Sequence, residues 1–378
     1  MPRHLPAFVP EAAAAAGLYL ACWGLVHVWF WGGYQIVDWP TYETYGRAIV
    51  DHGRVPYRDF AVEYPPGSIP AFLVAAPFND YARAFAWTMA ACGVALVAVV
   101  ASIRREAAFY VALAPVLVGS LILSRFDLWP SLLLVVALAA LLAERHRLGW
   151  AFLGAAVAAK LWPLVVVPLA LVWSWRRGRG WSALAGLAVV VAAFVPFAIL
   201  SLHGLWSSLA GQASRPLQIE SLGAAFITTF GHPHIVTTHG SQNVAGHGAL
   251  GAVTTAVEIA LLVALWLAFA RGEASRERFL RYTAASVCAF VAFGKVLSPQ
   301  YLIWLIPLVA LVRGARGHLA LVMLTVACVL TQVWFPQRYF AYAQRFHLAG
   351  VVLARDLVLV ALLAVLVSPP ARARRRTT

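Results

Sequence analysis

The chain has 378 residues, of which 62% are hydrophobic and only 12% charged, against roughly 25% charged residues in an ordinary soluble domain. This composition excludes a soluble fold, and the absence of any long polar, highly charged stretch excludes disorder. The net charge of +14 lies in short arginine clusters between apolar runs, without a basic stripe interleaved with stacking aromatics, so nucleic acid is not expected as a partner.

Apolar runs of about 20 residues cover the sequence almost end to end, which predicts an all-α polytopic membrane protein. A barrel would need alternating strands of about ten residues, and none are visible. The apolar pattern predicts twelve spans, near 12–33, 80–103, 106–123, 127–143, 148–159, 161–175, 181–202, 247–270, 279–297, 299–313, 317–335 and 350–368. The first run is long enough to span and has no clear cleavage motif after it, so it is expected to be retained.

The clusters Arg104-Arg105, Arg145/Arg147, Arg176-Arg177/Arg179, Arg271 to Arg281, Arg313/Arg316 and Arg372 to Arg376 then fall on one side. By the positive-inside rule that side is cytoplasmic. Both termini and the basic tail 369–378 lie there, in a cell-membrane protein whose long loops 34–79 and 203–246 face the periplasm or the outside. No internal repeat or soluble domain interrupts the chain, so residues 1–378 read as one transmembrane domain.

The first outer loop holds Asp38, Glu43, Arg47, Asp51, Arg54, Arg58, Asp59 and Glu63. Within it, Tyr42, Tyr45 and Ile49 recur at helical spacing between Pro40 and Gly53, predicting a surface amphipathic helix over Thr41 to His52. Asp38 precedes that helix. It can support the helix start, or act as a general base where partial desolvation raises a carboxylate pKa. Tyr64 to Phe78 is too short to span and reads as a juxtamembrane or re-entrant helix. Trp39, Tyr42, Tyr57 and Tyr64 can stack on sugar faces or anchor the interface.

Arg125 and Asp127 sit together at an outer span boundary, either as a local ion pair or as phosphate and hydroxyl contacts. The stretch 148–175 is basic at both ends and must cross an even number of times; Pro163 splits it at Lys160-Leu161-Trp162-Pro163. Lys160 and Lys295 are the only lysines beside 27 arginines. A charge at membrane depth costs at least about 2.5–3.5 kcal/mol, less where it can snorkel. The pair therefore reads either as point charges for a lipid phosphate or as helix-end anchors.

Gln218 to Phe230 predicts a second amphipathic helix, in a loop whose His232, His234, His239 and His247 read as flexible coil, or as supplying a single substrate contact, rather than as a metal cluster. Glu220 reads as more functional than Glu258, which lies mid-span and is expected to pair internally. Cys22, Cys92, Cys288 and Cys328 fall inside apolar runs and read as packed side chains rather than disulfides or zinc ligands. Glycine-rich phosphate loops, a serine-histidine-aspartate set and HExxH are absent, so no soluble nucleotide donor is implied.

Several segments carry a resemblance. Asp38-x-x-x-Tyr42, Gly53-x-x-Pro56-Tyr57-x-Asp59-Phe60 and Glu63-Tyr64-Pro65-Pro66 resemble the first outer loop of GT-C glycosyltransferases. More narrowly they resemble the actinobacterial polyprenyl-phosphate-mannose-dependent mannosyltransferases of glycosyltransferase family 87. Arg125-Phe126-Asp127-Leu128-Trp129-Pro130, Lys160-Leu161-Trp162-Pro163, Gln218-Ile219-Glu220-Ser221 and Lys295-Val296-Leu297-Ser298-Pro299-Gln300-Tyr301 are similar to that family too. The resemblance implies a GT-C fold, a catalytic aspartate mapping onto Asp38, and inversion at the anomeric carbon. It implies a polyprenyl-phosphate sugar donor whose phosphate is held by Arg125, Lys160 and Lys295. Tyr42, Asp59, Glu63, Tyr64, Asp127, Glu220, Gln300 and Tyr301 become the expected substrate contacts. The acceptor is a lipid or glycolipid drawn from the surrounding membrane lipids, and no metal or cofactor is expected, because a lone base suffices. An arabinofuranose donor, or a transporter or flippase of a lipid-linked sugar, is the alternative reading.

Overall fold

The computed structural model describes residues 9–33 and 35–368; the expected basic tail 369–378 lies outside them. The chain opens with α1 (Val9–Phe30) and α2 (Trp39–Val50). Pro40 at the start of α2 suits a helical first turn, where its missing N–H has no partner to lose. A 3-10 turn over Pro66–Ser68 and α3 (Ile69–Leu73) follow, so the apolar run after Tyr64 makes only a short helix. The next long helix, α4 (Tyr81–Ile103), begins where the Asp80 carboxylate accepts the Arg83 backbone N–H at 3.0 Å.

The expected span 106–123 is not one helix. It is broken into α5 (Arg105–Ala112), α6 (Ala114–Val118) and α7 (Leu121–Ser124). Pro115 cannot donate to the turn before it, and Gly119 adopts φ +60, which ends α6. Next come α8 (Leu128–Leu142) and α9 (His146–Ala159), a 3-10 segment over Trp162–Val166, α10 (Val167–Trp175), and α11 (Ala183–Ala213). As the proline predicts, the helix breaks at Lys160, whose backbone is extended. α11 contains Pro196 and bends at Ser201, where φ and ψ leave the helical region.

The second amphipathic helix starts later than expected, as α12 (Leu222–Phe230), because Gln218 bridges to Asn243 and a turn at Ile219 and Glu220 follows it. That chain is a hairpin of β1 (Ile235–Thr238) and β2 (Ser241–Val244), with Ile235 opposite Val244 and Thr238 opposite Ser241. His239 (φ 52) and Gly240 (φ 66) are its two loop residues. Two consecutive positive φ angles match the twist of a two-residue hairpin turn, so the histidine-containing loop is ordered structure rather than coil. The chain closes with α13 (Gly248–Arg271), α14 (Arg276–Phe293), α15 (Leu302–Ala310), α16 (Gly314–Trp334), α17 (Tyr339–Arg345) and α18 (Ala349–Val367).

Six described helices, α1, α4, α11, α13, α16 and α18, are long and apolar enough to cross a membrane; the other spans read from the sequence are shorter, interrupted or charged at one end. Exposed Leu187, Val191, Val195 and Ile199 give α11 an apolar outer face.

Contacts among the arginine clusters gather them at one end of the bundle. Arg104 Nη1 donates to the carbonyls of Ala310 and Val312 at 3.1 and 2.7 Å, and Arg105 pairs with Glu11 at 3.4 Å. Arg176 reaches the carbonyls of Ala270 and Gly272, and Arg177 reaches Glu144 and the Ala274 carbonyl. Arg281 donates to the Ser368 carbonyl at 3.3 Å. Guanidinium groups thus satisfy the last carbonyls of several helices, where the helix dipole is negative.

Candidate active site

At the other end, the helix breaks and connections line a cavity of about 570 Å³. Close backbone packing sets its floor. A Cβ on Gly67 would lie 2.7 Å from the Ala158 carbonyl oxygen, so only glycine lets the 3-10 turn rest on the end of α9. Trp129 Nε1 donates to the Gly67 carbonyl at 3.0 Å and ties α8 to the same point.

Asp38 stands at the first residue before α2 but does not cap it with its side chain. The carboxylate turns to the cavity wall instead. Its Oδ2 accepts from Tyr42 Oη at 3.3 Å and pairs with Arg125 Nη1. Arg125 also donates to the Ile36 carbonyl at 3.4 Å. No described group contacts Oδ1, and the Asp38 side chain keeps 31% of its exposure. One oxygen is therefore anchored and the other is available to a substrate hydroxyl.

Of the two readings open for Arg125 and Asp127, the local ion pair does not form among the described residues. Asp127, 1% exposed, instead accepts from Lys160 Nζ at 2.7 Å and Trp304 Nε1 at 2.6 Å on Oδ1. The two charges take partners on other elements, Asp38 before α2 for Arg125 and Lys160 after α9 for Asp127. Lys160 is further boxed by the rings of Phe126, Trp304, Tyr301 and Tyr64, with centroids 4.7 to 6.0 Å from Nζ. Trp304 stacks between Trp162 (4.7 Å) and Tyr301 (3.9 Å).

The opposite wall comes from the extended connection after α11. The Gln218 N–H donates to the Lys295 carbonyl and the Ile219 N–H to that of Gln242, at 3.0 and 3.1 Å. Gln218 Nε2 donates to Ser298 Oγ at 3.1 Å. Tyr342 Oη donates to the Ile219 carbonyl at 2.6 Å, and Arg355 Nη2 to that of Glu220 at 2.8 Å. Arg355, itself paired with Asp356 and fully buried, thus holds the segment in place from α18. Glu220 is 2% exposed. Burial pushes its carboxyl up to about 7, against the opposing pull of its own backbone, Arg355, Tyr339 and Arg215. Lys295 Nζ donates to the Ala213 carbonyl at 2.9 Å.

Of the residues expected from the sequence, Asp38, Glu63, Tyr64, Arg125, Lys160, Glu220, Lys295, Gln300 and Tyr301 all line this cavity. Three expected contacts do not. Tyr42 is buried behind Asp38, stacked on Phe72 at 4.7 Å. Asp127 lies beneath Lys160. Asp59 sits in the exposed first loop, where its carboxylate accepts the Val55 N–H at 2.7 Å and pairs with Arg58. Those bonds hold it near pH 2, the Arg58 hydrogen bond weighing most. Tyr57 is buried with φ 65, its hydroxyl bonded to the Tyr64 carbonyl, and is part of the loop frame.

The cavity also holds Arg215 and Tyr339, which the sequence reading does not select, His239, one of the four loop histidines, and Glu258, which faces this space instead of pairing internally. A visible signal for Arg215 is its place in Arg-Pro-Leu-Gln-Ile-Glu, directly after a span and before Glu220. Among the described residues, no group of three or more His, Cys, Asp or Glu side chains could hold a metal ion. All four cysteines are free.

The sequence profile of glycosyltransferase family 87 matches residues 62–299. The chain belongs to glycosyltransferase family 87. Among solved structures it is similar to ArnT from Cupriavidus metallidurans, determined bound to undecaprenyl phosphate. The identity is 14% over 95% of this chain and 76% of that one, with a TM-score of 0.51. The family 87 chain is accordingly a membrane glycosyltransferase with the GT-C fold. No curated protein matches its sequence.

Proposed function

We propose that this family 87 chain transfers mannose from polyprenyl-phosphate mannose to a lipid or glycolipid acceptor, with inversion and with Asp38 as the general base. The observation that carries this reading is the Asp38 carboxylate, anchored by Arg125 through one oxygen, on the wall of a cavity rich in cationic side chains. The donor class is supported by family membership and by the undecaprenyl phosphate bound to the ArnT relative.

In this mechanism Asp38 Oδ1 takes the proton of the acceptor hydroxyl while that oxygen bonds to the anomeric carbon. The bond from that carbon to the phosphate oxygen breaks, and its electron pair leaves with the polyprenyl phosphate. The leaving group is already an anion of a strong acid and needs no protein proton, so one carboxylate replaces the two of a glycosidase. Cations on the cavity wall stabilise the charge growing on the phosphate. Lys295 contacts it, while Arg125 and Lys160 act mainly through the carboxylates they hold. Glu63, Tyr64, Glu220, Gln300 and Tyr301 offer hydrogen-bonding groups to the sugar and the acceptor.

On the same reading the whole chain is one transmembrane catalytic unit. Its arginine-rich end is cytoplasmic and its cavity opens to the periplasm or outside. Supplying purified protein with synthetic polyprenyl-phosphate mannose, polyprenyl-phosphate arabinofuranose or a nucleotide sugar, and a bulk membrane-lipid extract as acceptor, tests this. A mannosylated lipid formed only from the first donor supports the proposal; product from either other donor refutes it.

A further inference from the structure

Four cationic side chains line the cavity: Arg125, Lys160, Arg215 and Lys295. They are not equally free to bind an anion. Arg125 is committed to Asp38 and Lys160 to the buried Asp127. Arg215 has no carboxylate at ion-pair distance among the described residues. Its one side-chain hydrogen bond runs from Nη2 to Ser241 Oγ at 3.2 Å, and its Nε is buried without an acceptor. A guanidinium with an unsatisfied buried N–H and no carboxylate in ion-pair contact, Glu220 acting on it only through space, is a poor structural element and a good receptor for a tetrahedral oxyanion. Lys295 lies beside it, since its ammonium is bonded to the carbonyl of Ala213, two residues before Arg215.

A second feature adjoins Arg215 along the chain. Along the last turns of α11, Trp206, Leu209, Ala210, Ala213 and Ser214 line an open apolar groove that shares Leu209 and Ala213 with the cavity. Trp206 is 67% exposed there. An open apolar groove that reaches Ser214, the residue before a guanidinium with no ion-pair partner, is complementary to a single-chain lipid with a phosphate at its end.

We infer that Arg215, with Lys295, holds the phosphate of the lipid-linked donor, and that the prenyl chain leaves the cavity along the α11 groove past Trp206. This rests on the donor class proposed above and assigns the anion site away from Arg125 and Lys160. Ser241 sets the guanidinium from β2, so the hairpin positions the phosphate receptor as well as covering the cavity.

The test is equilibrium binding of decaprenyl phosphate to the purified full-length protein, Arg215→Gln and Arg215→Lys, with decaprenol and a two-chain phosphatidic acid as comparison lipids. Losing a charge-assisted bidentate contact weakens binding by about ten- to hundredfold. Arg215→Gln is expected to show that loss and Arg215→Lys a smaller one. Decaprenol should bind weakly to all three proteins, and phosphatidic acid weakly and without dependence on residue 215. Wild-type affinity for decaprenyl phosphate in both variants overturns the Arg215 assignment while leaving the donor class intact. No binding by wild-type protein overturns the donor class itself. Phosphatidic acid bound as tightly and with the same dependence on Arg215 overturns the choice of a prenyl donor for this site. If Arg215→Gln does not fold, Arg215→Lys decides alone, since an unchanged affinity there removes the bidentate contact on which the inference depends.

Discussion

Lys160, on the cavity wall, and Asp127 beneath it, 33 residues apart in the chain, meet at 2.7 Å, with Trp304 Nε1 donating to the same carboxylate oxygen. Neither charge could sit there alone. Removing one member of a buried pair costs about 3–5 kcal/mol, because the other is left uncompensated, whereas removing both costs much less. Lys160→Met and Asp127→Leu are each expected to lower stability by about that amount. The double variant should be at least as stable as either single one. A thermal unfolding cycle in detergent checks this, and additive losses would contradict a direct pair.

Gly67→Ala should disturb the same floor from its backbone side. The added methyl meets the Ala158 main chain, which cannot move without shifting the end of α9 and Lys160 with it. Overpacking of this kind costs about 1–3 kcal/mol. The variant should unfold at lower temperature and transfer sugar more slowly, and a variant identical to wild type in both would refute the contact.

Glu220 gives the protein a pH dependence with a definite sign. With its carboxyl pushed up to about 7 by burial, the folded chain keeps a proton that the unfolded chain releases near pH 4.3. Stability therefore falls as pH rises between those values and is level above them. Glu220→Gln removes the titration, so its unfolding midpoint should change less between pH 5 and 8 than that of wild type. Equal slopes for the two proteins would place Glu220 in a more solvated setting.

Asp59 provides the contrast to Asp38. Both are aspartates of the first outer loop, but Asp59 closes its own turn on Val55 and Arg58. Asp59→Ala should loosen residues 53–60, read as faster proteolysis or hydrogen exchange there, and leave the KM for the donor unchanged. A raised KM with normal loop protection would move Asp59 into the substrate site.

Much of this site is legible in the sequence because charge is costly inside an apolar chain. Asp38, Arg125, Lys160 and Lys295 stand out for that reason, and each lines the cavity. Their pairing is not legible. Arg125 and Asp127 are two residues apart yet take partners from the residue before α2 and the residue after α9, respectively, contacts that only the fold brings together. Arg355 and Asp356 carry the same signal, two charges inside an apolar run, but their meaning depends on the Glu220 carbonyl that Arg355 meets from α18. The hairpin is hidden in a Thr- and His-rich stretch, with only His239-Gly240 to mark its turn. The long apolar helices are the easiest to read, and the run broken at Pro115 and Gly119 shows how apolarity alone overstates continuity.

The most direct test of the account is mannosyl transfer by Asp38→Asn protein in parallel with wild type, with donor binding measured on the same preparations. Asparagine keeps the shape of the side chain but cannot accept the acceptor proton. Asp38→Asn is expected still to bind polyprenyl-phosphate mannose and to form no mannosylated lipid. Transfer at the wild-type rate would contradict it.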